Sequence, residues 1–129
     1  MPKISIVIPA YNVGDYLQEC LDSVRNQTFS DIEAIVVNDA SPDNVGEIAA
    51  RAATEDPRTR VITNNPNMGT HRTRMAGVEN ASGEYTFFLD GDDALKPDMC
   101  EQLAAEIDKH PVDVLHYGLT VVAANELLE

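Results

Sequence analysis

Tyr85-Thr86-Phe87-Phe88-Leu89-Asp90-Gly91-Asp92-Asp93 is an apolar, aromatic run that ends in three carboxylates within four residues. Ser82-Gly83 precedes it and Gly91 interrupts its end, so Tyr85–Leu89 reads as a β-strand that stops at Asp90. The same pattern, an apolar strand feeding a polar cluster, recurs along the chain. Ile4–Ile8 is β-branched, stops at Pro9, and leads into Pro9-Ala10-Tyr11-Asn12. Ile32–Val37 is a second strand running into Asn38-Asp39, Val61–Ile62 a short third, and Val112–Tyr117 a fifth.

Helical spacing fills the intervals. Leu17, Cys20, Leu21 and Val24 fall at i, i+3, i+4 and i+7, one face of a helix. Ser41 suits an N-cap and Pro42 the first helical position, after which Val45, Ile48, Ala49 and Ala52 repeat the spacing. Asn64–Asn67 is a polar turn containing Pro66, and a helix follows Gly69 to about Asn80. Pro97 opens a last helix with Cys100, Leu103, Ala104 and Ile107 on its buried face. Strands and helices that alternate in this way predict an α/β fold, a mainly parallel sheet flanked by helices on both faces. In such sheets ligands bind beyond the carboxyl ends of the strands. The clusters Pro9–Asn12, Asn38–Ser41 and Asp90–Asp93 all belong there, and their convergence predicts one ligand site.

Bulk properties narrow the ligand. The 129 residues suit one domain, long enough to bury roughly two-thirds of the unfolded chain's surface. The hydrophobic share of 43% and charged share of 24% are ordinary for a globular protein. No apolar run reaches the ~18 residues of a membrane span. Met1–Ile8 lacks the length and cleavage site of a signal peptide, so a cytoplasmic domain is expected. A net charge of −13 argues against a nucleic-acid partner. It leaves room for a small phosphorylated ligand, provided a cation stands between diphosphate and carboxylates. Cys20 and Cys100 form no CxxC pattern and fall on apolar helical faces, which suits core packing.

Each cluster has a chemistry and a plainer alternative. Three carboxylates in Asp90-Gly91-Asp92-Asp93 repel one another and raise the pKa of at least one of them unless a cation binds. The donors are all oxygen, which points to Mg²⁺ or Mn²⁺ rather than Zn²⁺, and Gly91 allows close approach of backbone and ligand. The alternative is a solvated acidic turn. Asp39 can accept a hydrogen bond from the ring N–H of a base such as uracil, or serve as an acid at a helix N-terminus. Tyr11 can stack on a base, or Pro9–Asn12 is a simple strand-to-helix turn. Arg72 and Arg74, early in their helix, can meet phosphate oxygens with the helix amides or form surface ion pairs. His71, His110 and His116 have no ligand spacing and are assigned to packing or surface. No GxGxxG follows the first strand and no GxxxxGK[ST] occurs, which excludes the dinucleotide-binding and P-loop motifs; no GxSxG elbow occurs either.

Taken together, these residues resemble the family 2 glycosyltransferases, which have the GT-A fold. The resemblance runs from about Lys3 to Pro97. Ile4–Asn12 is similar to the family's opening strand and P-x-Y-N turn, and Tyr16–Thr28 to its first helix and closing Q-T. Asn38-Asp39-Ala40-Ser41-Pro42-Asp43 resembles D-D-G-S-x-D. Asn67-Met68-Gly69 with Arg74 and Gly77 resembles N-x-G-x-x-x-A-R-N-x-G. Gly83-Glu84-Tyr85 and Phe88–Asp93 resemble G-E-Y-x-x-F-L-D-x-D-D. Each piece alone is a weak signal; their order and intervals make a strong one. The resemblance implies a nucleotide-diphospho-sugar donor, often UDP-linked, and metal-dependent transfer with inversion to a glycan or lipid-linked acceptor. By that analogy Pro9, Ala10, Tyr11, Asn12, Asp39, Arg74, Asp90 and Gly91 bind the nucleotide. Asp39 contacts the base, Asp90 lies near ribose or metal, and Asp92 coordinates the Mn²⁺ or Mg²⁺ with Asp90 and Asp93. The metal then acts as a Lewis acid on the leaving diphosphate.

Departures from the pattern qualify these expectations. Asn38 and Ala40 stand where the family has Asp and Gly, which shifts the turn around the base. Thr73 and Met75 stand beside Arg74 where the family has Ala and Asn. The family's carboxylate base lies many residues beyond its D-x-D segment, and inversion needs such a base; none is assignable in this chain. The expected unit over 1–129 is therefore the donor-binding half of a truncated GT-A domain, binding donor without turnover, with Leu128-Glu129 foreign to it. The longer enzyme is expected in the cytoplasm or at the inner face of the membrane. Missing strands would leave an open sheet edge or an apolar patch that favours self-association. Two competitors remain. A haloacid-dehalogenase-type phosphohydrolase also has D-x-D after a strand, but after its first strand and with a Thr soon following, whereas here Ala94 comes next. A non-catalytic binding or assembly module would keep the fold without the reaction.

Overall fold

A computed structural model of the chain describes residues 2–109, 121–123 and 126–128. The elements run β1 (Ile4–Ala10), α1 (Leu17–Arg25), β2 (Ile32–Asn38), α2 (Val45–Glu55), β3 (Thr59–Thr63), α3 (Thr70–Asn80), β4 (Tyr85–Phe88) and α4 (Met99–Lys109). Two short strands, β5 (Val121–Ala123) and β6 (Glu126–Leu128), form a separate antiparallel pair. The first four strands make one sheet in the order β3-β2-β1-β4, and every pairing in it is parallel.

This order puts β1 and β2 in the middle. Every residue of β2 is buried, as is all of β1 except half-buried Pro9. Both faces are covered, so these strands are rich in β-branched residues on both sides and show no apolar–polar alternation. Ile4, Ile6, Ile8 and Ala10 of β1 join Leu17, Cys20, Leu21 and Val24 of α1, Val45, Ile48 and Ala49 of α2, and Cys100 and Ala104 of α4 in the main core. Val7, Ile35 and Val37 point the other way, into a thinner core with Ile62, Ala76 and Ala81. α3 covers that face with small residues: only Thr73 and Gly77 of it are buried. A Cβ on Gly77 would come within 2.2 Å of Val7 Cγ1, so the helix lies almost on the sheet. Helices therefore flank a parallel sheet on both faces, as the alternation predicts.

Several boundaries differ from the sequence reading. β1 does not stop at Pro9 but continues to Ala10, with Pro9 opposite Val37. The Pro9 carbonyl accepts Gly91 N–H at 3.2 Å, which turns Pro9 toward β4; β4 has already ended at Phe88, opposite Val7. The missing proline N–H thus falls past the end of that ladder, where it disrupts little. β3 is longer than Val61–Ile62, and β4 is one residue shorter than Tyr85–Leu89. Ser41 and Pro42 do not begin α2, which starts at Val45 after Asn44. The Ser41 hydroxyl donates to the Asp43 carboxylate instead, and Asp43 accepts Val45 N–H at 3.2 Å, serving the first turn in its place. Pro97 lies two residues ahead of α4, and Leu103 is only partly buried. The strand expected at Val112–Tyr117 lies outside the described residues, as do His110 and His116.

At the amino ends of the strands, Glu33 gathers the Ser5 hydroxyl (2.5 Å), Ser82 N–H (2.6 Å), the Ser82 hydroxyl (2.9 Å) and Arg60 Nη2 (2.9 Å). Burial pushes this carboxyl up, but those donors outweigh it and hold Glu33 at about 2. One side chain so ties β1, β2, β3 and the approach to β4 together, at the end of the sheet opposite the polar clusters.

Candidate functional site

The carboxyl ends of β1, β2 and β4 bring the predicted clusters into one surface. Ala10 O accepts Asp39 N–H at 3.1 Å, extending the β1–β2 ladder one step beyond the strands. Asn12 N–H donates to Ser41 Oγ at 2.9 Å, and Gly14 N–H to Asp43 Oδ2 at 2.9 Å, joining the loop after β1 to the loop after β2. The link from Gly91 to Pro9 brings in the acidic turn after β4. Tyr11 stands 46% exposed on this surface, its ring free to receive a planar group.

Two non-glycine residues here have left-handed backbone: Asn12 and Ala40, each with φ 56°. Asn tolerates that region, whereas an alanine there costs about 1–2 kcal/mol. Ala40 thus occupies a conformation that glycine adopts freely. Ala40→Gly is expected to stabilise the fold by about 0.5–1 kcal/mol, since relief of strain exceeds the entropy a glycine adds to the unfolded chain. A denaturation midpoint at or below the wild-type value would refute the strain.

Asp39 is buried, at 4% exposure, and its carboxylate is engaged by the segment that leads into α3. Oδ1 accepts Met68 N–H at 2.7 Å and Asn64 Nδ2 at 3.0 Å; Oδ2 accepts Gly69 N–H at 3.1 Å. Asn67 Nδ2 donates to the Asp39 carbonyl at 3.0 Å. Burial pushes this carboxyl up, but the donors from Asn64, Met68, Gly69 and Thr73 prevail and lower it. Of the two readings, base acceptor and helix N-terminal acid, the second describes a contact that exists. The helix is α3, reached across the sheet, rather than α2, which follows Asp39 in sequence. Gly69 has φ 86° with open space where a Cβ would stand, so backbone conformation, not crowding, asks for glycine there.

The acidic turn is closed by Asp93 N–H to the Asp90 carbonyl at 2.9 Å. Asp90, Asp92 and Asp93 are exposed, and one carboxylate oxygen of each lies within 4.8 Å of the others. Partial burial first, then the charges of Asp92 and Asp90, raise the Asp93 carboxyl. Three hard oxygen donors at this spacing, one of them already reluctant to ionise, fit a divalent cation of the Mg²⁺ or Mn²⁺ kind. The closeness expected at Gly91 is to the protein itself: a Cβ there would sit 2.7 Å from Val13 Cγ2. Beneath the turn, the Cys20 thiol reaches the Asp90 carbonyl at 3.7 Å. Burial and then the three aspartates push that thiol up to about 12, so it is inert packing.

Arg74 extends from α3 over the same turn. Its Nη2 lies 3.4 Å from Asp90 Oδ1 and its guanidinium carbon 5.5 Å from the centroid of half-exposed Phe88. Nε is buried without a hydrogen-bond partner. Arg72 lies on the exposed side of α3 and does not join the group. Three contributors escaped the sequence reading. Asn64 and Thr73 surround Asp39. Gln27, at the end of α1, donates to Ser23 O (3.0 Å) and Lys96 O (2.7 Å) and accepts Cys100 N–H (2.9 Å). It satisfies an amide in the first turn of α4 and so anchors the segment that carries the acidic turn. The signal for Gln27 was present in the Q-T pair, read only as a helix end.

A parallel α/β sheet with an oxygen-rich acidic turn and a buried aspartate at its carboxyl edge is the architecture of GT-A glycosyltransferases. Residues 5–127 match the family model described as glycosyl transferase family 2, and the chain belongs to that family. It is 42% identical over 118 residues to the uncharacterized glycosyltransferase EpsJ of Bacillus subtilis (strain 168), covering 92% of this chain and 34% of that protein. It is 41% identical over 109 residues to the chondroitin synthase of Pasteurella multocida (strain Pm70), covering 84% of this chain and 11% of that one. Among solved structures it superposes on S. aureus TarS 1–349 in complex with UDP-GlcNAc with a TM-score of 0.80 and 31% identity, over 84% of this chain and 32% of TarS 1–349. The chain spans about a third of the length of EpsJ. Among the described residues no helix is long and apolar enough to cross a membrane.

Proposed function

We propose that this chain is the donor-binding part of a metal-dependent, inverting glycosyltransferase that uses a UDP-linked hexose and transfers it to a glycan or lipid-linked acceptor. The observation that carries this reading is the convergence of Tyr11, Asp39, Arg74 and Asp90–Asp93 on one edge of the sheet, from three strand ends and one helix. Asp39 offers a buried, ionised acceptor for the ring N–H of uracil, and Tyr11 a face for the base. Ala10, Asn12, Pro9 and Gly91 shape the backbone around the nucleotide, and Arg74 turns from Asp90 to phosphate oxygens. Asp92, with Asp90 and Asp93, holds Mn²⁺ or Mg²⁺, which when bound neutralises charge on the leaving diphosphate as a Lewis acid. The UDP-sugar held by TarS supports the choice of nucleotide. The polymer made by the chondroitin synthase supports a glycan acceptor.

On this reading 1–129 binds donor, no base for the acceptor hydroxyl is assigned within it, and the enzyme works in the cytoplasm or at the inner face of the membrane. The test is the stereochemistry of transfer by the longer enzyme, supplied with an α-linked UDP-hexose and a panel of glycan and lipid-linked acceptors. Proton NMR of the product is expected to show a β-linked sugar. An α-linked product would refute inversion, and release of inorganic phosphate from simple esters would favour a phosphohydrolase instead.

A further inference from the structure

Asn64 is buried, at 8% exposure, and the mechanism above gives it no task. It comes directly after β3, whose last residue, Thr63, lies opposite Asn38 in the parallel register. The next step of that register sets Asn64 beside Asp39, and Asn64 N–H donates to the Asn38 carbonyl at 2.8 Å. A buried side-chain amide needs partners for both its hydrogens. Nδ2 has them: it donates to Asp39 Oδ1 at 3.0 Å and to Thr73 Oγ1 at 3.3 Å. An ionised carboxylate accepts and does not donate, so the amide must face it with nitrogen and not oxygen.

Met68 N–H reaches the same Oδ1 at 2.7 Å, while Gly69 N–H goes to Oδ2 at 3.1 Å. Each carboxylate oxygen has about two acceptor positions. Oδ1 is therefore full, and what capacity remains for a ligand lies on Oδ2. This decides which base edge the carboxylate can meet. Uracil presents one ring N–H between two carbonyls and needs a single acceptor. Guanine presents a ring N–H and an amino N–H side by side, and a carboxylate that pairs with both needs a free position on each oxygen. We propose that Asn64 is a specificity-determining residue: by filling Oδ1 of Asp39 it leaves the carboxylate a single acceptor position, which suits a uracil-type base and refuses the paired donors of guanine. This rests on the assignment of Asp39 as the base acceptor.

The test measures UDP and GDP affinities by calorimetry with Mn²⁺ for wild type, Asn64→Leu and Asp39→Asn. Leucine keeps the branched shape of asparagine without its donors. Diphosphate and metal are common to both nucleotides, so the ratio of the two affinities isolates the base. A general loosening of the site would weaken both alike and leave the ratio unmoved. Wild type is expected to prefer UDP. Asn64→Leu reopens a position on Oδ1 and is expected to lower that preference about tenfold, the scale of one hydrogen bond to a charged group. If Asn64→Leu does not fold, Asn64→Ala takes its place. Asp39→Asn is expected to lose the preference. A ratio in the Asn64 variant within about twofold of wild type, with the preference lost in Asp39→Asn, overturns the proposal and leaves the Asp39 assignment standing. A preference that survives Asp39→Asn, or a wild-type chain that does not favour UDP, overturns both.

Discussion

Asp92→Ala is expected to weaken Mn²⁺-dependent binding of UDP about 100-fold or more. Removing even a supporting group of a metal site typically costs 10–100-fold, and here a direct oxygen donor is lost. The carboxylates of Asp90 and Asp93 would remain, but two exposed acids grip a hydrated divalent cation far less well than three converging ones. The substitution should leave the fold intact. Asp92 is exposed, and its removal relieves repulsion on Asp93. Loss of binding with an unchanged melting temperature is thus the expected pair of results. UDP affinity that stays at the wild-type value would dismiss the acidic turn as the metal site.

The second large effect concerns stability rather than binding. Glu33 is held at about 2 against an ordinary glutamate value of 4.5, although burial opposes it, by donors from Ser5, Ser82 and Arg60. A folded-state pKa below the unfolded one contributes stability that is fully present above the unfolded value. That stability is lost as pH falls from about 4.5 through about 2. The shift corresponds to about 3 kcal/mol at neutral pH. Glu33→Gln is therefore expected to lower the unfolding free energy at pH 7 by about 2–3 kcal/mol, a large fraction of a small domain's margin. The gap to wild type should close as the pH is lowered toward 2, where wild-type Glu33 itself becomes protonated. Urea denaturation at several pH values checks this. A gap of the same size at pH 7 and pH 2.5 would show that shape rather than charge matters at this position.

These two residues also mark what a sequence makes legible. The strand-end clusters could be read because each is local: an apolar run and the polar residues that follow it sit side by side in the chain. The parallel sheet followed from alternation, and β1 and β2 carry apolar residues on both faces, Ser5, Glu33 and Asn38 apart, because helices cover both. What escaped reading was set by contacts across sequence. Asn64 meets Asp39 from 25 residues away, and Gln27 meets Cys100 N–H from 73 residues away. Nothing adjacent to Asn64 or Gln27 announces such partners. Ser41 misled for a related reason, because its hydroxyl is used by Asp43 and Asn12 rather than by the next helix. Pro9 misled because a strand that outruns its neighbour tolerates a missing donor. Glu33 carried a usable signal: a carboxylate inside an otherwise apolar buried strand requires donors on every side, although the sequence does not say which ones.

The site divides in the same way. Asp90, Asp92 and Asp93 came together as their spacing predicts, and Asp39 reached the same edge from β2. The task Asp39 performs without ligand, holding the entrance to α3 through Met68 and Gly69, could not be read from Asn38-Asp39 alone. Arg74 was expected on phosphate and rests on Asp90 and Phe88. Its buried Nε without a partner is consistent with a side chain that has another arrangement when an anion arrives.

The central claim is that this edge of the sheet binds a uridine diphosphate through a metal. Calorimetric titration of the chain with UDP in the presence of Mn²⁺, repeated with excess chelator, tests it most directly. Saturable binding with Mn²⁺ that disappears with chelator is expected, with weaker binding of GDP and CDP. Binding that persists unchanged in chelator, or no binding of UDP with Mn²⁺ present, would contradict it.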